Sequence, residues 1–315
     1  TRFTKHKCMF RFNFLFFIFC LCHTAFSQSM DNAPGRLRAA VVKVNITPDT
    51  PQWLRGYNPR QSTAVLDSLY HRIVILDDGK TQFYLISSEV VGIPVPEYDR
   101  MTKILKEQMG IDPSSVWWST THTHSAPEIA THFGGISFPS MANRSQLAAQ
   151  HEPDTAYTSF FERQLVEGIR RARLKLSPAR FGVGWGFSQA NINRRASDVE
   201  GRASLGLNPD GEVDRRIGLI RIDHEDGSPM VLIANYPIHG TVLGGESTVI
   251  SGDAPGVVSE YVEEKTRAPM LFINGAAGNL APIYSVYPNA IAGHLKQFRR
   301  LLGDKILDAN AKITT

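Results

Sequence analysis

The sequence has 315 residues, 42% of them hydrophobic and 20% charged, with three cysteines and a formal net charge of +4. That is enough chain for one large core or two small ones. Four of the 34 Lys and Arg residues (Arg2, Lys5, Lys7, Arg11) and none of the 30 Asp and Glu residues precede residue 28, so the remainder is formally neutral. A neutral chain removes the electrostatic argument for a nucleic-acid or anionic-membrane partner.

The basic N-terminus runs into an apolar stretch at 12–22 and a small-residue exit at Ala25-Phe26-Ser27. This pattern predicts a secretory signal peptide over 1–27, and with it a secreted or periplasmic location. The apolar run is much shorter than the ~20 residues that span a bilayer. Cys8, Cys20 and Cys22 all fall in this leader. Residues 28–315, read as one domain, therefore have no disulfide and no thiolate, and any metal there must use His, Asp, Glu or Tyr.

In chain order, 37–46 reads as a strand ended by Thr47-Pro48. Residues 71–76 and 82–91 read as strands around the Asp78-Gly79 turn. A helix is predicted over 97–109, stopped by Gly110, and Val116-Trp117-Trp118 reads as a buried strand. Asp154 or Thr155 caps a long amphipathic helix whose stripe is Phe160, Phe161, Leu165, Ile169, Ala172 and Leu176. Strands follow at 180–187 and 217–222, the latter paired with 230–236 across Asp226-Gly227. Asp253 precedes a helix with Pro255 in its first turn. A buried strand at 270–273 and a helix over 290–311 close the chain. Hairpins mixed with long helices point to an α/β fold of mixed β-sheet layers flanked by helices.

The chemistry gathers at strand ends. Thr120–Pro127 reads Thr-Thr-His-Thr-His-Ser-Ala-Pro. On an extended backbone His122 and His124 point to one face, roughly 6.5–7 Å apart. Two imidazoles among hydroxyls suit zinc, while a hydrogen-bonded structural pair is the competing reading. His239 follows the 230–236 strand and repeats that placement. Arg194, in Asn191-Ile192-Asn193-Arg194-Arg195, is expected in a loop, where its guanidinium can bind a carboxylate or oxyanion. Residues 272–282, Phe-Ile-Asn-Gly-Ala-Ala-Gly-Asn-Leu-Ala-Pro, open a strand into small residues that admit close backbone approach. No Lys-Ser/Thr follows, which rejects a P-loop, and no Gly-x-Ser-x-Gly elbow occurs. Ala126 stands where a His-x-His-x-Asp metallohydrolase carries its Asp.

Taken in order, 42–48, Leu54-Arg55-Gly56-Tyr57, 70–92, 120–127, 191–194, Ile238-His239-Gly240, Ser251-Gly252-Asp253 and 274–282 resemble the N-terminal catalytic domain of the neutral/alkaline non-lysosomal ceramidases. The resemblance implies a zinc hydrolase that cleaves the N-acyl amide of ceramide into sphingosine and fatty acid. It makes His122 and His239 zinc ligands, His124 an active-site histidine beside the metal, and Arg194 a substrate- or oxyanion-contacting residue. It further implies that zinc lowers the pKa of water and polarises the amide carbonyl. The family's remaining ligands, a Glu and a Tyr, lie beyond the matched region, so residues 28–315 are expected to be a C-terminally incomplete domain. Ala281 occupies the place of the family's active-site serine. Two alternatives stand beside the ceramidase reading: a metallohydrolase of the same fold acting on another amide or ester, and a non-catalytic secreted binding protein. The expected partner is a small-molecule or lipid amide. A lipid substrate requires peripheral membrane contact, for which no amphipathic anchor is evident, and the sequence leaves the oligomeric state open.

Overall fold

The computed structural model describes residues 36–130, 154–286 and 294–315; the predicted leader lies outside them. Among the described residues the α-helices are α1 (Val95–Met109), α2 (Thr155–Arg173), α3 (Asp253–Thr266) and α4 (Asp304–Asn310). The strands are β1 (Arg38–Asn45), β2 (Tyr70–Asp77), β3 (Gln82–Ser88), β4 (Val116–Thr120), β5 (Ser177–Phe187), β6 (Asn191–Ser197), β7 (Ala203–Asn208), β8 (Arg216–His224), β9 (Pro229–Tyr236), β10 (Met270–Asn274) and β11 (Leu280–Pro282). Eight of them form one sheet in the order β10-β9-β8-β5-β1-β2-β3-β4. Its outermost pairs, β9/β10 and β3/β4, are parallel, and the pairs between them are antiparallel.

Local signals explain most of these elements. Gly79 (φ 84°) and Gly227 (φ 85°) supply the left-handed turns of the two hairpins. Asp154 caps α2 by accepting from Tyr157 N, and Gly110 (φ 69°) ends α1 in the left-handed cap. The amphipathic stripe of α2 buries Leu165, Ile169 and Ala172 with Met101 and Leu105 of α1 against Val42, Val44, Ile73, Ile75 and Ile86. Helices α3 and α4 cover the other half of the sheet through Val258, Val262 and Ile306, against Leu219, Leu232, Ala234 and Phe272. Each Val, Leu, Ile, Met or Phe among them contributes about 1.5–3 kcal/mol by leaving water.

The sheet folds over, so that its two ends meet. Ser87 Oγ of β3 donates to the Phe272 carbonyl of β10 at 2.6 Å, and Asn274 Nδ2 donates to Thr121 O at 3.3 Å. The inner faces enclose Ala39, Val74, Leu85, Ile222, Val231, Ile233, Leu271 and Ile273. Ions also lie inside. Arg72, 2% exposed, donates to Glu89 at 2.6 Å and Glu263 of α3 at 2.7 Å, and Lys43 reaches Glu263 at 2.6 Å. The architecture is α/β, with mixed sheets flanked by helices, as predicted. Among the described residues no helix is long and apolar enough to cross a membrane.

Two expectations change. Asn191–Arg195 is not a loop: it belongs to β6, which pairs with β7 on one side and β11 on the other. Asn and Arg carry no apolar alternation, so only the pairing partners reveal the strand. The closing helix is not continuous either. It runs as a 3-10 turn (Leu295–Gln297), a π-helical stretch (Arg299–Gly303) and α4; residues 290–293 lie outside the described residues. Gly303 presses on Tyr261 of α3, where a Cβ would come within 2.7 Å, and Asp304 accepts from the Tyr261 hydroxyl. This close seat accompanies the irregular turns.

Candidate metal centre

The carboxyl ends of β4, β9 and β10 lie at the edge where the sheet folds over, the usual place for a site on such a sheet. Strand β4 stops at Thr120. The chain then turns through His122, whose φ of 62° is left-handed, an uncommon conformation for a non-glycine residue. His122 and His124 therefore do not converge as alternate residues of an extended strand. They are brought together by this turn and by a parallel bridge between Thr123 and Gly240. His124 N donates to Gly240 O at 2.8 Å, and Gly240 N donates to His122 O at 3.2 Å.

Two glycines make that approach possible. A Cβ on Gly240 would lie 2.6 Å from Thr123 Cα, and one on Gly56 (φ 111°) would lie 2.4 Å from His124 Cγ. Any side chain at either position collides with the histidine segment.

The three imidazoles of His122, His124 and His239 form one cluster, in which one ring nitrogen from each lies within 4.8 Å of the other two. Ring centroids are 4.6 Å (His122–His239), 5.1 Å (His122–His124) and 5.4 Å (His124–His239) apart. Main-chain carbonyls set two of the tautomers. His122 Nδ1 donates to Val91 O at 2.6 Å. His239 Nδ1 donates to Ala277 O at 2.7 Å and faces Leu280 O at 3.1 Å. In each ring the in-plane lone pair is then on Nε2. The glycine-rich segment 275–279 thus acts through its carbonyls, not as a phosphate cradle.

Both ring nitrogens of His124 are buried without a hydrogen-bond partner among the described residues. Leaving a buried polar group unpaired costs about 1–3 kcal/mol. Burial, then the neighbouring His122, His239 and Arg194, pushes the His124 pKa down to about 2. Burial and Arg194 push His239 down to about 4, and burial also lowers His122. Three neutral imidazoles with converging lone pairs, one of them unpartnered, fit a divalent cation.

Around the cluster, Arg194 NH2 donates to His239 Nε2 at 3.0 Å and to Gly278 O at 3.0 Å. Arg194 is brought to the centre because β6 pairs with β11, which continues the 275–279 turn. Tyr57 lies edge-on to His124 at 5.0 Å, and the Arg60 guanidinium sits 5.0 Å from its ring. Arg60 also holds His124 O at 2.6 Å and Ser247 O at 2.6 Å. Asp253 does more than precede a helix. Fully buried with φ 54°, it accepts from Val242 N at 3.1 Å and Leu243 N at 2.9 Å, clamping the segment after His239. Burial raises its pKa to about 6. The Arg60 clamp and the orienting carbonyls carry no spacing signature, so the sequence did not reveal them, and Asp253 was read there only as a helix start and part of the resemblance. Gly56 and Tyr57 stood inside the quoted resemblance without a role. Ala281 is buried in β11 and packs with Ile192 and Val286.

Residues 45–280 match the family described as neutral/alkaline non-lysosomal ceramidase, N-terminal. The chain belongs to this ceramidase family. The neutral ceramidase of Pseudomonas aeruginosa is 29% identical over 185 residues, which is 57% of this chain and 26% of that protein. Neutral ceramidase B of Dictyostelium discoideum is 27% identical over 160 residues, 50% of this chain and 21% of that protein. Among solved structures, a ceramidase complexed with C2 superimposes with a TM-score of 0.72 at 21% identity, covering 88% of this chain and 44% of that one. The neutral ceramidase crystal structure from Pseudomonas aeruginosa gives 0.70 at 19% identity, over 89% and 45%. These ceramidases share the fold, and the chain spans less than half the length of either solved structure.

Proposed function

We propose that the protein is a zinc-dependent hydrolase cleaving an N-acyl amide, ceramidase-like, with His122 and His239 as zinc ligands. The observation that carries this reading is the convergence of three neutral imidazoles, two of them held at Nδ1 by backbone carbonyls, which leaves the lone pair on Nε2. Zinc, when bound, supplies Lewis acidity and lowers the pKa of water. The chain's own residues do the rest. Val91 O and Ala277 O hold the two ligand rings in one tautomer, which is how orienting partners usually serve metal-binding histidines. His124, wedged between Tyr57 and the other two rings, is placed to exchange a proton with the reacting amide or to hold its oxygen by an N–H. Arg194, tethered on Gly278 O, can pair with a carboxylate or an oxyanion through its planar fork. The signal-peptide pattern of residues 1–27 supports a secreted or periplasmic location for the protein, which cell fractionation checks.

The test is metal analysis of the purified protein together with hydrolysis of an N-acylsphingosine. Stoichiometric zinc, and loss of both zinc and hydrolysis in His122→Ala, is expected. Wild-type protein that takes up no zinc, or a variant with unchanged activity, defeats the reading. Ala281 favours one variation: its methyl sits in an apolar cluster, so no hydroxyl stands where the resemblance places the family's serine. Substrate choice can therefore lie with another amide or ester, and a panel including short N-acyl amines separates the two.

A further inference from the structure

We infer that Arg194 gates the metal: its guanidinium occupies the lone pair through which His239 would take a divalent cation, and must leave before that ligand can engage. The inference rests on the metal-site reading above. His239 gives its Nδ1 proton to Ala277 O at 2.7 Å, which leaves the ring's single in-plane lone pair on Nε2. Arg194 NH2 donates to that atom at 3.0 Å. One lone pair cannot serve a guanidinium and a cation together. Charge raises a second obstacle, since a guanidinium stays protonated and repels a dication a few ångströms away.

The fold also provides the exit. Arg194 Nε and NH2 both donate to Gly278 O, at 3.1 and 3.0 Å, and Arg195 NH2 reaches the same oxygen at 3.0 Å. NH2 can turn off His239 while Nε keeps the arm tethered. The three rings are therefore unequal. His122 has a free Nε2, His124 has both nitrogens unpartnered, and His239 alone is already engaged. His122 would be free to take a cation at once, whereas His239 could engage it only after the arginine swings away.

The experiment compares wild type with Arg194→Met, which removes donor and charge, and Arg194→Gln, which keeps a donor and removes the charge. Zinc affinity is read by competition with a chromophoric chelator, the 15N shift of His239 is read in zinc-free protein, and thermal melts establish that each variant is folded. Arg194→Met is expected to bind zinc about tenfold tighter or more, with Arg194→Gln between it and wild type. The zinc-free His239 Nε2 resonance is expected to move in Arg194→Met as its donor is lost. Wild type that binds zinc alongside a folded Arg194→Met of equal or weaker affinity overturns the gate, as does an unmoved His239 resonance. Wild type that binds no zinc overturns the site reading, and the gate with it.

Discussion

Gly240→Ala tests how tightly the fold controls the histidine cluster. The new methyl would lie 2.6 Å from Thr123 Cα, 2.9 Å from His122 O and 3.0 Å from Thr123 N, all backbone, where ordinary contact begins near 3.4 Å. No rotamer change relieves this, so the 122–124 segment must retreat from the β9 end by roughly 0.8 Å. The hydrogen bonds His124 N to Gly240 O and Gly240 N to His122 O then stretch or break. At about 1 kcal/mol net each, the metal-free protein should lose about 2 kcal/mol of stability. Metal sites tolerate about 0.2 Å in ligand distance. A shift several times larger should weaken zinc binding on the order of 10- to 100-fold, the usual effect of disturbing what orients a ligand. Gly244→Ala is the control, because a Cβ there meets nothing within 4 Å. Urea unfolding with chelator present gives the first quantity, and chelator competition gives the second. Zinc affinity in Gly240→Ala within twofold of wild type would refute the claim that this glycine sets the histidine geometry.

Two further outcomes concern the core. His71 is buried between Ser88 Oγ (2.6 Å) and Phe161 O (3.0 Å), and burial pushes its pKa from 6.5 to about 4. A depressed folded-state value means that the unfolded chain binds the proton first. His71's contribution is therefore full above about pH 6.5 and falls by up to ~3 kcal/mol as the pH drops to 4. Stability of His71→Gln relative to wild type should shift by that amount over this window, and parallel pH curves would show that His71 is not the titrating group. Glu263→Ala strands the buried Arg72 on Glu89 alone and takes acceptors from Lys43 and Met270 N. Breaking a buried pair in this way should cost about 3–5 kcal/mol in urea unfolding; a loss under 1 kcal/mol would mean that the cluster is solvated.

Strong local signals in the sequence located the hairpins at Asp78-Gly79 and Asp226-Gly227, the Asp154 cap and the α2 stripe. The centre's histidines were legible because each sits just past an apolar strand. Their convergence was not, since it comes from the left-handed His122 and the Thr123–Gly240 bridge, and no alternation of side chains announces either. Strand β6 escaped notice because pairing with β7 and β11 defines it, not its own composition. Arg194 was singled out from its motif, but its contact with His239 depends on the distant 275–279 turn.

The rings of His122 and His239 are steered by Val91 O, Ala277 O and Leu280 O, atoms that every residue type possesses. A motif records side chains, so this half of the centre is invisible to one. Side chains at 91, 277 and 280 are free to drift as long as the chain traces the same path. The reverse constraint is severe. With no separate side chain holding either ring by its Nδ1, substitution cannot retune the orientation of these imidazoles without reshaping the turns that carry them. Site geometry and loop conformation are here inherited as one character.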